Sequence, residues 1–191
     1  MINSDIEIVT PAAEALVSLG EAKTHLGVFH DAEDSRIEMY LATAHERVVS
    51  MSGRALVSTS YRLWRDRWPF GRTLHLPLGQ LTAVSAVKYY PEGAASPETF
   101  ASSNYEVIAG DKGAVVLKTG VSWPASLTLR WRRPIAVEFT AGWASAAAVP
   151  KVFRQAVLLL LAKMYHNLDG EEAGARIDRA ARALVENSYP L

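Results

Sequence analysis

The chain has no cysteine, which excludes disulfides, thiolate nucleophiles and cysteine-based metal sites. Its most apolar run, Ala156 to Ala162, falls far short of the ~20 residues that a membrane span needs. The opening Met1-Ile2-Asn3-Ser4-Asp5 has neither the basic start nor the apolar core of a signal peptide. Synthesis in a cytoplasm, without secretion, is therefore expected. G-x-S-x-G, Walker A and G-x-G-x-x-G elements are all missing, and with them the usual signatures of hydrolase, nucleotide and dinucleotide sites. There is no internal repeat, and no low-complexity tract beyond residues 144–148. An enzyme is not expected.

What is there is an ordinary folded composition: 191 residues, 49% hydrophobic and 21% charged. That length suits one domain, or one domain carrying a large insertion. The stretch Val149 to Leu168 dominates it. Pro150 fits a first helical turn, and strong helix formers follow without Gly or Pro. Its polar residues cluster at the ends, leaving Ala156 to Ala162 apolar on every face. Such a helix needs cover on all sides, so it reads as a central helix.

The formal net charge of zero hides an asymmetry. Residues 1–50 hold nine Asp/Glu against three Lys/Arg, whereas residues 51–150 hold eleven Lys/Arg against six Asp/Glu. Either these are solvated surfaces, or the acidic and basic parts bind copies of the chain or unlike partners.

Ser18-Leu19-Gly20-Glu21 reads as a capping box opening a short helix to about Leu26. Residues 1–17 read as an irregular arm. Asp31 is placed to cap a longer helix whose apolar face carries Ile37, Tyr40, Leu41, Ala44, Val48 and Met51, with Gly53 ending it. From Ala55 to Gly142 turn signals recur between β-rich runs. The expected strands are Thr59–Arg65, Thr73–Leu76, Val84–Tyr90, Tyr105–Ala109, Ala114–Lys118, Ser126–Trp131 and Ile135–Ala141. Gly110-Asp111-Lys112-Gly113 reads as a hairpin turn. After the central helix, Asp169-Gly170 breaks the chain, and Ile177, Ala180, Ala181, Leu184 and Val185 mark one side of a last helix. The expected fold is α+β: a small helical bundle interrupted by an antiparallel sandwich or barrel-like insertion. Its parts are an N-terminal helical part at 1–54, the β insertion at 55–143 and the completing helices at 144–191.

Chemistry-bearing residues are sparse. His25, His30, Asp31, Glu33 and Asp34 have metal-ligand types but lack H-x-x-x-H or H-E-x-x-H spacing, so no metal and no cofactor is expected. His45 and His75 have no assignable partner. Glu171-Glu172 is explained by a helix N-terminus. Trp64, Trp68, Trp123, Trp131 and Trp143 lie among Arg62, Arg65, Arg67, Arg72, Arg130, Arg132 and Arg133. Aromatics interleaved with Arg stack on single strands or sugars and also form protein–protein hot spots. A nucleic-acid- or carbohydrate-binding module using this face is thus the alternative, set against the reading that most of these tryptophans are core.

The run Leu19-Gly20-Glu21-Ala22-Lys23-Thr24-His25-Leu26-Gly27-Val28 resembles the L-x-E-A-K-x-H-L-x-V opening of head–tail connector proteins of long-tailed bacteriophages. The resemblance continues through Asp31, Asp34, Ile37, Tyr40, Ala44 and Gly53-Arg54, then Tyr61–Trp68 and Leu76-Pro77. Val84–Tyr90, Phe139–Trp143 and Val149-Pro150 with Arg154-Gln155-Ala156 extend it to roughly residues 18–168. The adaptors of gene transfer agents, domesticated phage-like particles, look similar too.

This resemblance implies a structural virion protein located at the head–tail interface. Such adaptors form a ring, commonly twelve-fold, beneath the portal protein. They extend the channel through which double-stranded DNA passes, and they dock the next connector, stopper or tail protein. No membrane partner is implied. A closed ring needs two unlike complementary faces on each subunit. The residues expected to serve them are Arg130, Arg132 and Arg133 from the β part and Glu172, Arg176, Arg179 and Arg182 from the last helix. Family members often end in a short basic tail, whereas this chain ends Asn187-Ser188-Tyr189-Pro190-Leu191. The resemblance therefore carries no portal-docking role onto these last residues.

Overall fold

The computed structural model describes residues 5–167 and 172–188, the side chains of 187 and 188 apart. The expected break at Asp169-Gly170, the carboxylate of Glu171 and the terminal Tyr189-Pro190-Leu191 lie outside the described residues. The chain divides into two units. One comprises Glu14–Val57 and Trp143–Leu191, the other Ile2–Ala13 and Ser58–Gly142.

The first unit is helical: α1 (Leu19–Leu26), α2 (Asp34–Ser52), α3 (Lys151–Tyr165) and α4 (Glu172–Ser188). The capping box forms as read: Ser18 Oγ accepts the Glu21 N–H at 3.2 Å, and Glu21 Oε2 accepts the Ser18 N–H at 2.9 Å. Gly27 ends α1 at φ 72°, where a side chain would be strained. Asp31 does not cap α2. The helix starts two residues later than that reading requires, after Glu33, with no side-chain cap. Asp31 turns instead toward Lys23, whose Nζ lies 2.6 Å from its carboxylate and 2.7 Å from that of Asp34. A full charge beside a carboxylate competes well against a capping bond.

Helix α3 packs on α1, α2 and α4. Phe153, Ala156, Val157, Leu160 and Leu161 are fully buried, but Leu158, Leu159 and Ala162 are only half-buried. All-round cover therefore stops short at its middle. Pro150 sits just before the helix, at the cap position, rather than in its first turn. On α4, Ala181 and Val185 are buried and Ile177 and Leu184 half-buried, whereas Ala180 faces solvent. The two chain segments of this unit are tied by the Trp143 N–H to the Leu56 carbonyl, 3.0 Å. Two further ties are Arg154 to Glu21 at 2.6 Å and the Ala146 N–H to Glu14 at 2.6 Å.

Among the described residues the second unit holds every strand: β1 (Ile6–Thr10), β2 (Thr59–Arg65), β3 (Thr73–His75), β4 (Leu81–Tyr89), β5 (Glu98–Phe100), β6 (Tyr105–Ile108), β7 (Ala114–Leu117) and β8 (Ile135–Ala141). All pair antiparallel in two open sheets, ordered β1-β2-β8-β4-β5 and β3-β7-β6. Neither sheet closes, so the barrel-like alternative drops out. Strand β1 lies where an irregular arm was expected, because pairing with β2, not burial, holds it: Glu7 to Thr10 are all exposed. Ser126–Trp131 is no strand. Enclosed by Pro124 and Pro134, it runs beside the end of β4 with an isolated bridge, Pro91 to Leu129. The β6–β7 hairpin forms through Gly110–Gly113 as read.

The alternation of β8 builds the core of this unit. Ile135, Val137, Phe139 and Ala141 point one way, against Tyr61 and Leu63 of β2 and Val87 of β4. A second cluster joins the sheets: Phe100 of β5 stacks on Tyr105 of β6 at 6.1 Å, and Trp123 stacks on Trp68 at 4.9 Å.

Candidate interaction surfaces

Four of the five tryptophans are used in packing. Trp64 and Trp123 are 8% exposed, Trp68 is half-buried in the aromatic cluster, and Trp143 lies 5.4 Å from Phe153. Trp123 Nε1 donates to the Gly71 carbonyl at 2.9 Å, while the buried Nε1 groups of Trp64 and Trp68 have no acceptor. Only Trp131, 92% exposed, offers an open ring. The Trp/Arg face is mostly interior.

The arginines of the β unit divide in the same way. On the outer face of the larger sheet, Glu138 receives Arg62 at 2.8 Å and Lys88 at 3.0 Å. Partial burial alone would raise the Glu138 pKa, but the hydrogen bonds from Lys88 and Arg62 outweigh it and hold the carboxyl low. Arg130 lies 3.6 Å over the Tyr90 ring and donates to the Arg133 carbonyl at 2.6 Å. Arg133 reaches Glu7 at 3.2 Å, and its backbone N–H meets Asp66 at 2.9 Å. Of the three arginines expected to form an interface, Arg130 and Arg133 thus also fix the loop before β8. Arg132 is exposed beside Trp131.

The other expected interface residues lie in the helical unit. Glu172 pairs with Arg176, and Arg182 with Glu186 at 3.8 Å, each one turn apart on exposed α4 surface. Arg179 is exposed between them. Helix α4 itself packs on α2 and α3, where its Asp178 meets the buried Lys163 at 2.7 Å. Over its described residues α4 thus lies against the bundle.

The carboxylates of the histidine-carboxylate cluster are engaged in ion pairs. Asp31 and Asp34 share Lys23, and Glu33 lies 3.6 Å from Arg36. Among the described residues no group of three or more such side chains is arranged to hold a metal ion. Burial lowers the pKa of His45 and favours its neutral form. No described helix is long and apolar enough to cross a membrane.

Two surface features escaped sequence reasoning. Phe29, in the turn between α1 and α2, is 88% exposed, although nothing in its hydropathy distinguishes it from core. In the β unit a groove of about 610 Å³ opens between the β2–β3 loop and the segment after β7. Trp68, Leu117 and Trp123 line it from within, and Phe70 and Leu127 are exposed along it.

Residues 17–102 match the family described as phage gp6-like head-tail connector protein. A search of the curated proteins finds no match. Solved structures are similar over nearly the whole chain. One is a chain from the neck of an empty GTA particle computed with C6 symmetry: 24% identity, TM-score 0.78, covering 97% of this chain and 95% of that one. Another is from the virion of a native gene transfer agent (GTA) particle: 24%, TM-score 0.71, 94% of each chain. A third is from the neck of a native GTA particle computed with C12 symmetry: 23%, TM-score 0.69, covering 92% and 93%. Residues 17–102 are therefore similar to the phage gp6-like head–tail connectors, and nearly the whole chain has the fold of chains found in gene transfer agent particles.

Proposed function

We propose that this chain is a structural virion protein, a head–tail connector whose copies close into a ring at the neck of a phage-like particle. The observation that carries this reading is the agreement of two likenesses. The sequence of residues 17–102 is that of a connector family, and the fold across 97% of the chain is that of a neck chain. The twelve-fold neck symmetry of one relative supports twelve copies here. Portal protein above, and a stopper or tail component below, are the partners this position requires, with double-stranded DNA passing through the channel.

On this reading the helices of residues 14–57 and 143–191 are one small bundle, and the strand unit, onto which β1 is paired, is its insertion. Arg132 with Trp131 on the insertion, and Glu172, Arg176, Arg179 and Arg182 on α4, are surfaces for neighbouring subunits or connectors. Arg130 and Arg133 support the first of these by holding its loop. A channel wall that gripped phosphates would slow DNA in a salt-dependent way, and the zero net charge of the chain suits passage better than capture.

The test is to mix the purified chain with the portal of the same particle and image it by negative stain. Added ring density on the portal supports the proposal. A chain that neither binds the portal nor forms rings, yet binds single-stranded DNA tightly with a steep salt dependence, overturns it.

A further inference from the structure

We propose that Phe29 of one copy inserts into the Trp68–Trp123 groove of the next, forming a head-to-tail contact. This inference rests on the ring reading above and names one contact in it. Phe29 is a rigidly presented anchor. The Gly27 cap turns the chain out of α1, and Lys23 clamps the turn through Asp31 and Asp34. The backbone that presents the ring is therefore held before binding, which lowers the entropy cost of association. Aromatic anchors in pockets dominate interface energetics.

The groove lies on the other unit, so the two surfaces are unlike and both remain available in a chain of copies. Such a heterologous contact generates rings or filaments and not closed pairs. Its volume, about 610 Å³, admits a phenyl ring with its flanking residues. Charge fits as well. The Phe29 turn carries Asp31, Glu33 and Asp34 against Lys23 and Arg36, while the groove is lined by Arg67 and Arg72 against Asp66. Among the described residues Trp131 is the other exposed large aromatic outside the groove, but Arg130, Arg132 and Arg133 flank it in the chain, like in sign to the groove. Complementary charge selects the partner and its register more than it adds affinity.

The absence of cysteine makes the test clean. His30→Cys and Ala125→Cys, exposed positions beside Phe29 and on the groove, are placed in one chain that keeps Phe29 itself, folding is checked by circular dichroism, and a short bismaleimide is added under conditions where portal-bound or free rings are imaged. A covalent ladder climbing beyond the dimer is expected, with neither single variant giving it. Phe29→Ala should weaken self-association by roughly tenfold or more with the thermal midpoint unchanged. Rings without the ladder overturn the Phe29 contact and leave the ring intact. Neither rings nor ladder overturns both readings.

Discussion

Leu159 and Leu160 are neighbours of the same type in the same helix, yet their expected mutational effects differ. Leu160 is 1% exposed among the helices of its unit, and Leu159 is half-buried. A carboxylate at Leu160 has no partner there and is costly to bury. Leu160→Asp should therefore abolish cooperative thermal unfolding, whereas Leu159→Asp should retain a folded chain. Sequence alone could not separate the two, because an unbroken apolar run carries no periodicity. Glu138 makes a second prediction at this scale. Its folded pKa is depressed below the ordinary value of 4.5, so its contribution is present above that value and is lost as pH falls through the folded pKa. Glu138→Gln should flatten the acid limb of stability in urea titrations carried downward from about pH 5. An unchanged acid limb would show that Arg62 and Lys88 contribute nothing through it.

Among the elements, those with a strong local code were legible. The ends of β2 and β8 coincide with the expected Thr59–Arg65 and Ile135–Ala141, since clean alternation and flanking turns marked both. The Ser18 capping box was legible for the same local reason. Ser18→Ala should destabilise the chain by about 1 kcal/mol, measured by chemical unfolding. Strand β1 was missed because its exposed positions show no buried-face alternation. Asp31 was misread because Lys23, eight residues earlier, claims its carboxylate. Turn glycines hide a tertiary constraint too. A Cβ on Gly113 would lie 2.5 Å from Leu81 Cβ, so Gly113→Ala should lower the thermal midpoint by several degrees through overpacking, ~1–3 kcal/mol. Of the candidate surfaces, the residue types were legible and the burial was not. Trp68 and Trp123 look like Trp131 in sequence, and packing alone tells them apart.

For the whole molecule, folding redistributes the charge that the linear sequence separates. Asp5 and Glu7 join the strand unit, where Glu7 meets Arg62 and Arg133. The C-terminal arginines join the helical unit. That unit then holds twelve acidic against ten basic residues, and the strand unit eight against ten. The contrast remains in sign but shrinks, so subunit contacts should rest on a few residues and not on a broad field. Arg132→Glu is the informative charge reversal, because it leaves the Arg133–Glu7 pair and the Arg130–Tyr90 contact in place. Its expected outcome is impaired ring formation at an unchanged thermal midpoint, by mass photometry and calorimetry. The central claim is that this chain is a ring component of a neck. Counting its copies in purified particles by cryo-electron microscopy tests that claim most directly. The account predicts one ring of twelve copies at the portal, and particles with a complete neck that lacks this chain would contradict it.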